Sequence, residues 1–371
     1  MRRATLVFLL FIVLVAAILA LSQFLQSQPA FDVQIAVSPL AFDWASAGIE
    51  RYNLTNPVAG TRRIRFVPLA VDDVAVWEAS VNWTAASHPA AWIPAWSGSV
   101  TYASGLPFAA VEPSLARTVL MWGVFNSRAE ALYDNTTPFG WDAVAAAAAA
   151  GSWAAAAPES GVTGSVITAF NRPTTTLSGM AVLFSAAADY SSAPRITTDV
   201  LVSADFRLWL QPVLESVPNF NTLGASPAMT IAARGAAVGQ IALLPESDWL
   251  RNLTGTLVTA NDPVRFYYPE HPFLFDFPLM VWASPSADGA VTAADVRSAV
   301  TALGAVLLSP AEQTNAQAFG LRPVSGTPTG AAFSAGEIYG VQASLPLDMP
   351  ITPPPLNDLR RLLTWADNVL R

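Results

Sequence analysis

The chain of 371 residues contains no cysteine. That excludes disulfides, thiolate metal ligands, a catalytic thiol and a lipid-bearing cysteine that would tether a mature exported protein. Lysine is also absent. All 19 basic residues are arginine, against 27 acidic ones, for a formal net charge of -8. No arginine stripe is visible, so the clustered basic surface that a phosphate backbone requires is missing and nucleic acid is excluded as a partner. Histidine is scarce: His88 and His271 are the only two, and both precede proline. Neither stands in a Ser-His-Asp or metal-ligand spacing, and G-x-S-x-G does not occur, which leaves an exported hydrolase without a nucleophile and base. The expectation is therefore no catalysis, no cofactor and no metal.

What is present is apolar. Hydrophobic residues make up 53% and charged ones 12%, the balance of a packed globular protein and not of a disordered one. The length exceeds the usual single-core domain and predicts two lobes. At the N-terminus Arg2 and Arg3 precede a continuous apolar run, Ala4 to Leu21, followed by the polar SQFLQSQPA. The run is long enough for a transmembrane helix, and its basic start and small residues near Ala20 and Ser22 also suit a cleaved signal peptide. Residues 1–28 are expected to be one or the other. The positive-inside tendency puts the rest of the chain outside, at the outer face of the cytoplasmic membrane, in the periplasm or at the cell surface.

The organising stretch runs from Val166 to Tyr190, VITAFNRPTTTLSGMAVLFSAAADY. A β-branched run gives way to Asn-Arg-Pro, three threonines, Ser178 and Gly179, and then an Ala-rich helical pattern: a strand, a polar turn and a helix. The first N–H groups of such a helix lack intrahelical partners. Thr176 and Ser178 either cap them or share them with an anionic or strongly polar ligand, which Gly179 would let approach closely.

Before it, Phe31 to Val37 reads as a strand stopping at Ser38-Pro39, Trp44 to Tyr52 as a helix and Arg62 to Leu69 as a strand, a βαβ unit that forces parallel pairing. Val71 to Trp83 reads as a helix. Pro89 and Pro94 then place Trp96 and Ser97 on a loop. Ala116 to Phe125 is an apolar strand buried on both faces. Asp142 opens the helix Ala143 to Ala150, where the simplest role is a helix-end charge. Asp199 to Ser216 is helical despite Pro212, Ala236 to Leu244 is a strand ending at Glu246-Ser247, and Arg265 to Tyr268 and Pro272 to Trp282 are extended. Helices follow at Thr292 to Leu308, from Ser309-Pro310 to Phe319, and, after a Pro-rich link at Ile351 to Pro355, at Leu356 to Arg371.

The segments PFLFDFPLMVWASP and LLSPAEQTNAQAFGLRP, with NRPTTTLSG and HPAAWIPAWS, resemble motifs of the extracellular solute-binding proteins of bacterial ABC transporters, the two-lobed type II group. HPAAWIPAWS resembles a subgroup whose relatives are joined to von Willebrand A-type domains. The resemblance covers about Phe31 to Pro323. It implies an α/β fold of two lobes, each with a central, mainly parallel sheet flanked by helices, joined by a two-crossing hinge. Lobe one would be 31–118 plus 265–332, lobe two 119–264, and 333–371 a C-terminal extension. Ser38, Trp96, Ser97, Thr176, Ser178, Ser247 and Tyr268 follow strand ends or open helices, where a cleft between two such sheets lies. They are the expected ligand-binding residues, and the expected ligand is a small polar or anionic solute, which Arg172 and Arg265 would favour if it is an anion and the tryptophans if it is a sugar. The implied partner is an ABC permease. A membrane-anchored sensor or assembly factor with the same fold is the alternative. Two crossings also imply few contacts between lobes and hence hinge motion.

Overall fold

The computed structural model describes residues 7–8, 11–16, 29–60, 62–133, 139–254, 258, 261–283, 291–347 and 349–370. Eleven strands are described: β1 (Phe31–Val37), β2 (Val58–Ala59), β3 (Arg62–Ala70), β4 (Ala91–Ile93), β5 (Phe108–Glu112), β6 (Thr118–Phe125), β7 (Thr168–Ala169), β8 (Ile241–Pro245), β9 (Val264–Tyr267), β10 (Leu274–Phe275) and β11 (Leu279–Trp282). They form two sheets. The first has the order β2-β3-β1-β4-β11-β5; the second has β10-β6-β8-β7, with β9 also on β6. The main helices are α1 (Phe42–Leu54), α2 (Asp73–Trp77), α3 (Ser97–Tyr102), α4 (Trp141–Ala150), α5 (Leu177–Tyr190), α6 (Ala204–Glu215), α7 (Glu246–Arg251), α8 (Ala293–Leu307), α9 (Pro310–Ala318) and α10 (Leu356–Val369).

The β1-α1-β3 unit is parallel as expected, with Ile35 opposite Pro68, and β4 continues it. Parallel pairing is otherwise confined to β7 on β8. Strands β11 and β6 carry the chain between lobes and run antiparallel to their neighbours, so both sheets are mixed. All eight residues of β6 are buried. A strand so placed needs partners on both edges; β8 serves one, and β9 and β10 serve the other. This places residues 265–275, expected from the motifs in lobe one, on the second sheet. The crossings then fall at 113–117 and 276–278. At the second, Phe277 is fully buried with φ 42, a left-handed conformation that a bulky residue adopts only when its surroundings impose it.

Local differences have local causes. The expected helix Val71 to Trp83 is only α2, because Ala79 turns out of it at φ 56. Trp96 lies, as expected, in the short link between β4 and α3, whereas Ser97 opens α3. The expected strand at Ala236 starts at Ile241, after a turn of 3-10 helix at Gly235–Ala237. Most of the N-terminal apolar run lies outside the described residues. Among the described residues no helix is long and apolar enough to cross a membrane.

The lobes are not sparsely joined. One buried cluster runs from Ile35 and Phe66 of the first sheet through Trp96 to Phe184, Leu120 and Trp122 of the second lobe. A knot at the hinge adds to it. Arg322, after α9, gives a bidentate pair of bonds to Glu246 at the start of α7: Nε to Oε2 at 2.6 Å and Nη2 to Oε1 at 2.7 Å. The two side chains are 4% and 0% exposed. Arg322 also donates to the Gln342 and Ala343 carbonyls, and Tyr268 donates its hydroxyl to Glu246 at 2.5 Å. Removing one partner of a desolvated pair leaves the other charge uncompensated. Arg322→Ala is expected to lower stability by about 3–5 kcal/mol, measured by urea unfolding, and Glu246→Gln should also be strongly destabilising.

Candidate functional site

The site is built where the ends of β1, β3 and β4 meet the start of α5. Strand β3 runs out at Ala70, and Val71 donates its N–H to Val37 at 2.9 Å. The next residue, Asp72, caps α2 by accepting from the Val74 N–H at 3.0 Å. The same oxygen accepts from the Leu177 N–H at 3.0 Å. Leu177 is the first residue of α5, in the other lobe. One carboxylate thus caps two helices, one from each lobe, and it sits where the partial positive charge at the start of α5 attracts an anion.

Its neighbour Asp73 is fully buried and turns the other way, accepting from the Ala95 N–H at 3.0 Å and the Trp96 N–H at 3.3 Å. That fixes the β4-α3 turn. Trp96 is 5% exposed and packs edge-on to Phe184 of α5, with ring centroids 5.9 Å apart, and against Phe273 at 5.3 Å. The tryptophan expected to wall a cleft is plugged into the second lobe.

Around Leu177 the turn is self-satisfied. Thr176 accepts from the Gly179 N–H at 3.2 Å and donates to the Arg172 carbonyl at 2.9 Å, so its hydroxyl is committed to the cap. Ser178 lies beside it in the first turn, 6% exposed. A Cβ on Gly179 would collide with the Asn171 and Arg172 carbonyl groups. The close backbone approach that glycine permits is therefore made by the chain's own turn. Gly179→Ala is expected to cost about 1–3 kcal/mol, read as a fall in the urea midpoint.

Ser38 ends β1, donating its N–H to the Ile93 carbonyl at 2.8 Å. It is 1% exposed, and its hydroxyl meets no hydrogen-bonding partner among the described residues. Ser97 is exposed and gives its N–H to Asp276 at 2.7 Å. Ser247 and Tyr268 belong to the hinge knot. Ser247 is fully buried, with its N–H on the Thr118 hydroxyl and its backbone against Gly320, and Tyr268 is spent on Glu246 and the Gln342 N–H. Of the seven expected residues, Ser38, Trp96, Ser97, Thr176 and Ser178 are gathered on the strand ends and helix starts of the seam; the other two serve the crossing. Arg172 pairs with Asp367 at 2.7 Å, so it offers no bare charge for an anion; Arg265 donates to the neutral Asn126 side chain and Ile338 carbonyl. His88 stacks on Trp282 at 3.9 Å, a packing role. Among the described residues no group of His, Asp and Glu is arranged to hold a metal.

The residues missed from sequence are Asp72 and Asp73. Their signal was two adjacent acids, in a chain poor in charge, directly after a strand. Burial pushes the Asp72 carboxyl up to about 6, against the opposing pull of the Val74 and Leu177 N–H groups. It pushes Asp73 well above the usual range, with the Asp72 charge adding to it. Burial raises Asp189 to about 6 and lifts Asp248 and Asp276 as well. A carboxyl whose folded pKa exceeds its unfolded value binds protons more tightly when folded, so it stabilises at low pH and loses that contribution as pH rises through the folded value. The lowered carboxyls, such as Glu312 beside Arg51, act in reverse only below about pH 4.5. Stability is therefore expected to rise as pH falls from 7.5 to 5. Asp72→Asn, which keeps the acceptor oxygen, should stabilise the protein at pH 7.5 by up to about 3 kcal/mol and flatten the profile. Thermal unfolding across this range checks both.

No protein-family model and no curated protein sequence matches the chain. Solved structures do. The ferric binding protein from Campylobacter jejuni is 11% identical, over 91% of this chain and 98% of that one, with a TM-score of 0.52. AfuA from Actinobacillus pleuropneumoniae, a periplasmic binding protein with fructose-6-phosphate bound, is 13% identical over 92% and 99%, with a TM-score of 0.52. An ABC transporter solute-binding protein from Agrobacterium vitis S4 with bound D-mannitol is 10% identical over 92% and 96%, with a TM-score of 0.53. The chain has the periplasmic-binding-protein fold. At these identities the likeness is one of fold, and within that fold the contact between Asp72 and Leu177 is an interlobe contact.

Proposed function

We propose that the chain is an exported solute-binding protein that captures a small polar or anionic solute between its lobes and hands it to an ABC permease. Residues 1–28 act as its signal or membrane anchor and keep it in the periplasm or at the outer face of the cytoplasmic membrane. The observation that carries the reading is the cross-lobe bond from Leu177 to Asp72. A helix start that accepts the protein's own carboxylate when the lobes are together can accept a solute's oxygen when they part. Asp72 is in this reading a placeholder. Solute would lie against Ser38, Trp96, Ser97 and Ser178, while Thr176 shapes the turn and Ser247 and Tyr268 hold the hinge. Binding without catalysis is the whole of the proposed activity. The resemblance of HPAAWIPAWS to the von Willebrand A-associated subgroup supports a place among solute-binding domains that work beside other modules.

A membrane-anchored sensor is the second reading, favoured by one observation: the C-terminal segment contacts both lobes, with Arg360 on Glu78 in the first and Asp367 on Arg172 in the second. A sensor that reports solute occupancy by releasing such a segment needs no permease.

Native mass spectrometry of the full chain should reveal a retained small molecule, and calorimetry with that molecule then separates roles. Ser178→Ala is expected to weaken binding roughly tenfold to a hundredfold, the worth of a hydrogen bond to a charged or strongly polar group. Thr176→Ala should cost about 1 kcal/mol of stability through its cap. Unchanged affinity in Ser178→Ala would remove the start of α5 from the binding site.

A further inference from the structure

We propose that residues 351–370 form a strap that holds the two lobes together and must come away before solute enters. The second clause rests on the solute-binding reading; the first stands without it.

The strap is tied to both sides of the seam. On the first lobe, Arg360 pairs with Glu78 at 2.8 Å and donates to the Trp77 carbonyl at 3.1 Å, both at the end of α2, the helix that Asp72 caps. Tyr102, at the end of α3, donates its hydroxyl to the Pro354 carbonyl at 2.8 Å. On the second lobe, the Thr352 N–H donates to the Pro194 carbonyl at 2.8 Å and its carbonyl accepts from the Ile196 N–H at 3.4 Å, Thr198 donates to Asp358 at 2.7 Å, and Arg172, in the turn before α5, pairs with Asp367 at 2.7 Å. Arg207 lies over the Trp365 ring at 5.6 Å. The far end of the helix that Asp72 caps and the turn before α5 are therefore each held by the same helix, α10.

Its packing is that of a part able to leave. One face is apolar and fully buried, with Leu359, Leu362 and Ala366 at 0% exposure. The other contacts are weak. The pair of Arg360 with Glu78 is 44% and 34% exposed, in the range where ion pairs contribute little. Beside the helix lies a groove of about 420 Å³, lined by Glu78 of the first lobe, Thr174 of the second and Arg360, Leu363, Thr364 and Asp367 of the strap. A helix held by one apolar stripe beside an open groove opens at less cost than the strands beneath it.

The absence of cysteine makes the test clean, because spin labels attach only where cysteine is introduced. Glu50→Cys in α1 and Ala149→Cys in α4 place one label on the exposed face of each lobe. The interlobe distance distribution is then measured by electron paramagnetic resonance in the otherwise unchanged full chain and in one also carrying Arg360→Ala, Leu362→Ala and Asp367→Ala. Hydrogen exchange follows segment 356–369 against β6 and β8. The unaltered strap should give a single narrow distance. The weakened strap should exchange roughly thirtyfold faster or more, while β6 and β8 stay protected, and a second, longer distance should appear. A released strap with an unchanged distance overturns the proposal. So does a segment that stays as protected as β6 and β8, or loses protection only together with them, since it would then be core. Solute uptake is measured apart from this: a longer distance with no solute bound at any concentration leaves the strap standing and removes the binding reading.

Discussion

The arrangement depends on a carboxylate held out of water between two helix starts. Asp72 is mostly desolvated, and what compensates it is two backbone N–H groups, one from each lobe. Burial wins over those bonds, which is why its pKa rises instead of falling. The contact is thus geometrically specific and energetically poor, the combination expected of a group that other oxygens can replace. Asp73 beside it, fully enclosed and bonded to the Trp96 turn, keeps the first-lobe side of the seam rigid while Asp72 faces the second.

Further contacts hold the lobes together. The hinge knot of Glu246, Arg322 and Tyr268 ties the start of α7 to the chain beyond α9. The aromatic contact of Trp96 with Phe184 and Phe273 fills the space between the sheets, so separation exposes apolar surface unless something else takes its place. The C-terminal helix adds contacts to both lobes, Arg360 on Glu78 and Asp367 on Arg172.

Much of this was legible in the residues. The strand Phe31–Val37, the helix after the polar turn with Thr176 among its candidate caps, and the Ser309 start of α9 follow from periodicity and cap chemistry; the structure starts that helix at Leu177, two residues earlier than the Ala-rich pattern after Gly179 implies. What the residues do not show has physical causes. The sheet that β9 and β10 join is a tertiary choice: their sequence says extended but not beside whom, and the buried edge of β6 decides it. A residue after a strand end, such as Tyr268, suits a hydroxyl supporting a buried ion pair as well as one facing a ligand, and the carboxylate that Tyr268 bonds lies 22 residues away. The role of Asp72 was hidden for a related reason. A cap acts locally on Val74, which sequence can suggest, and distantly on Leu177, which it cannot.

The central claim, that the start of α5 is where solute replaces Asp72, is tested most directly by following the Leu177 amide by NMR in protein labelled selectively at leucine, during titration with the molecule retained by the purified chain. The account predicts a saturable shift of the Leu177 resonance, accompanied by a fall in the Asp72 carboxyl pKa as that group returns to water, with the Leu250 amide at the hinge unmoved. Saturable binding that leaves the Leu177 amide unchanged would contradict it.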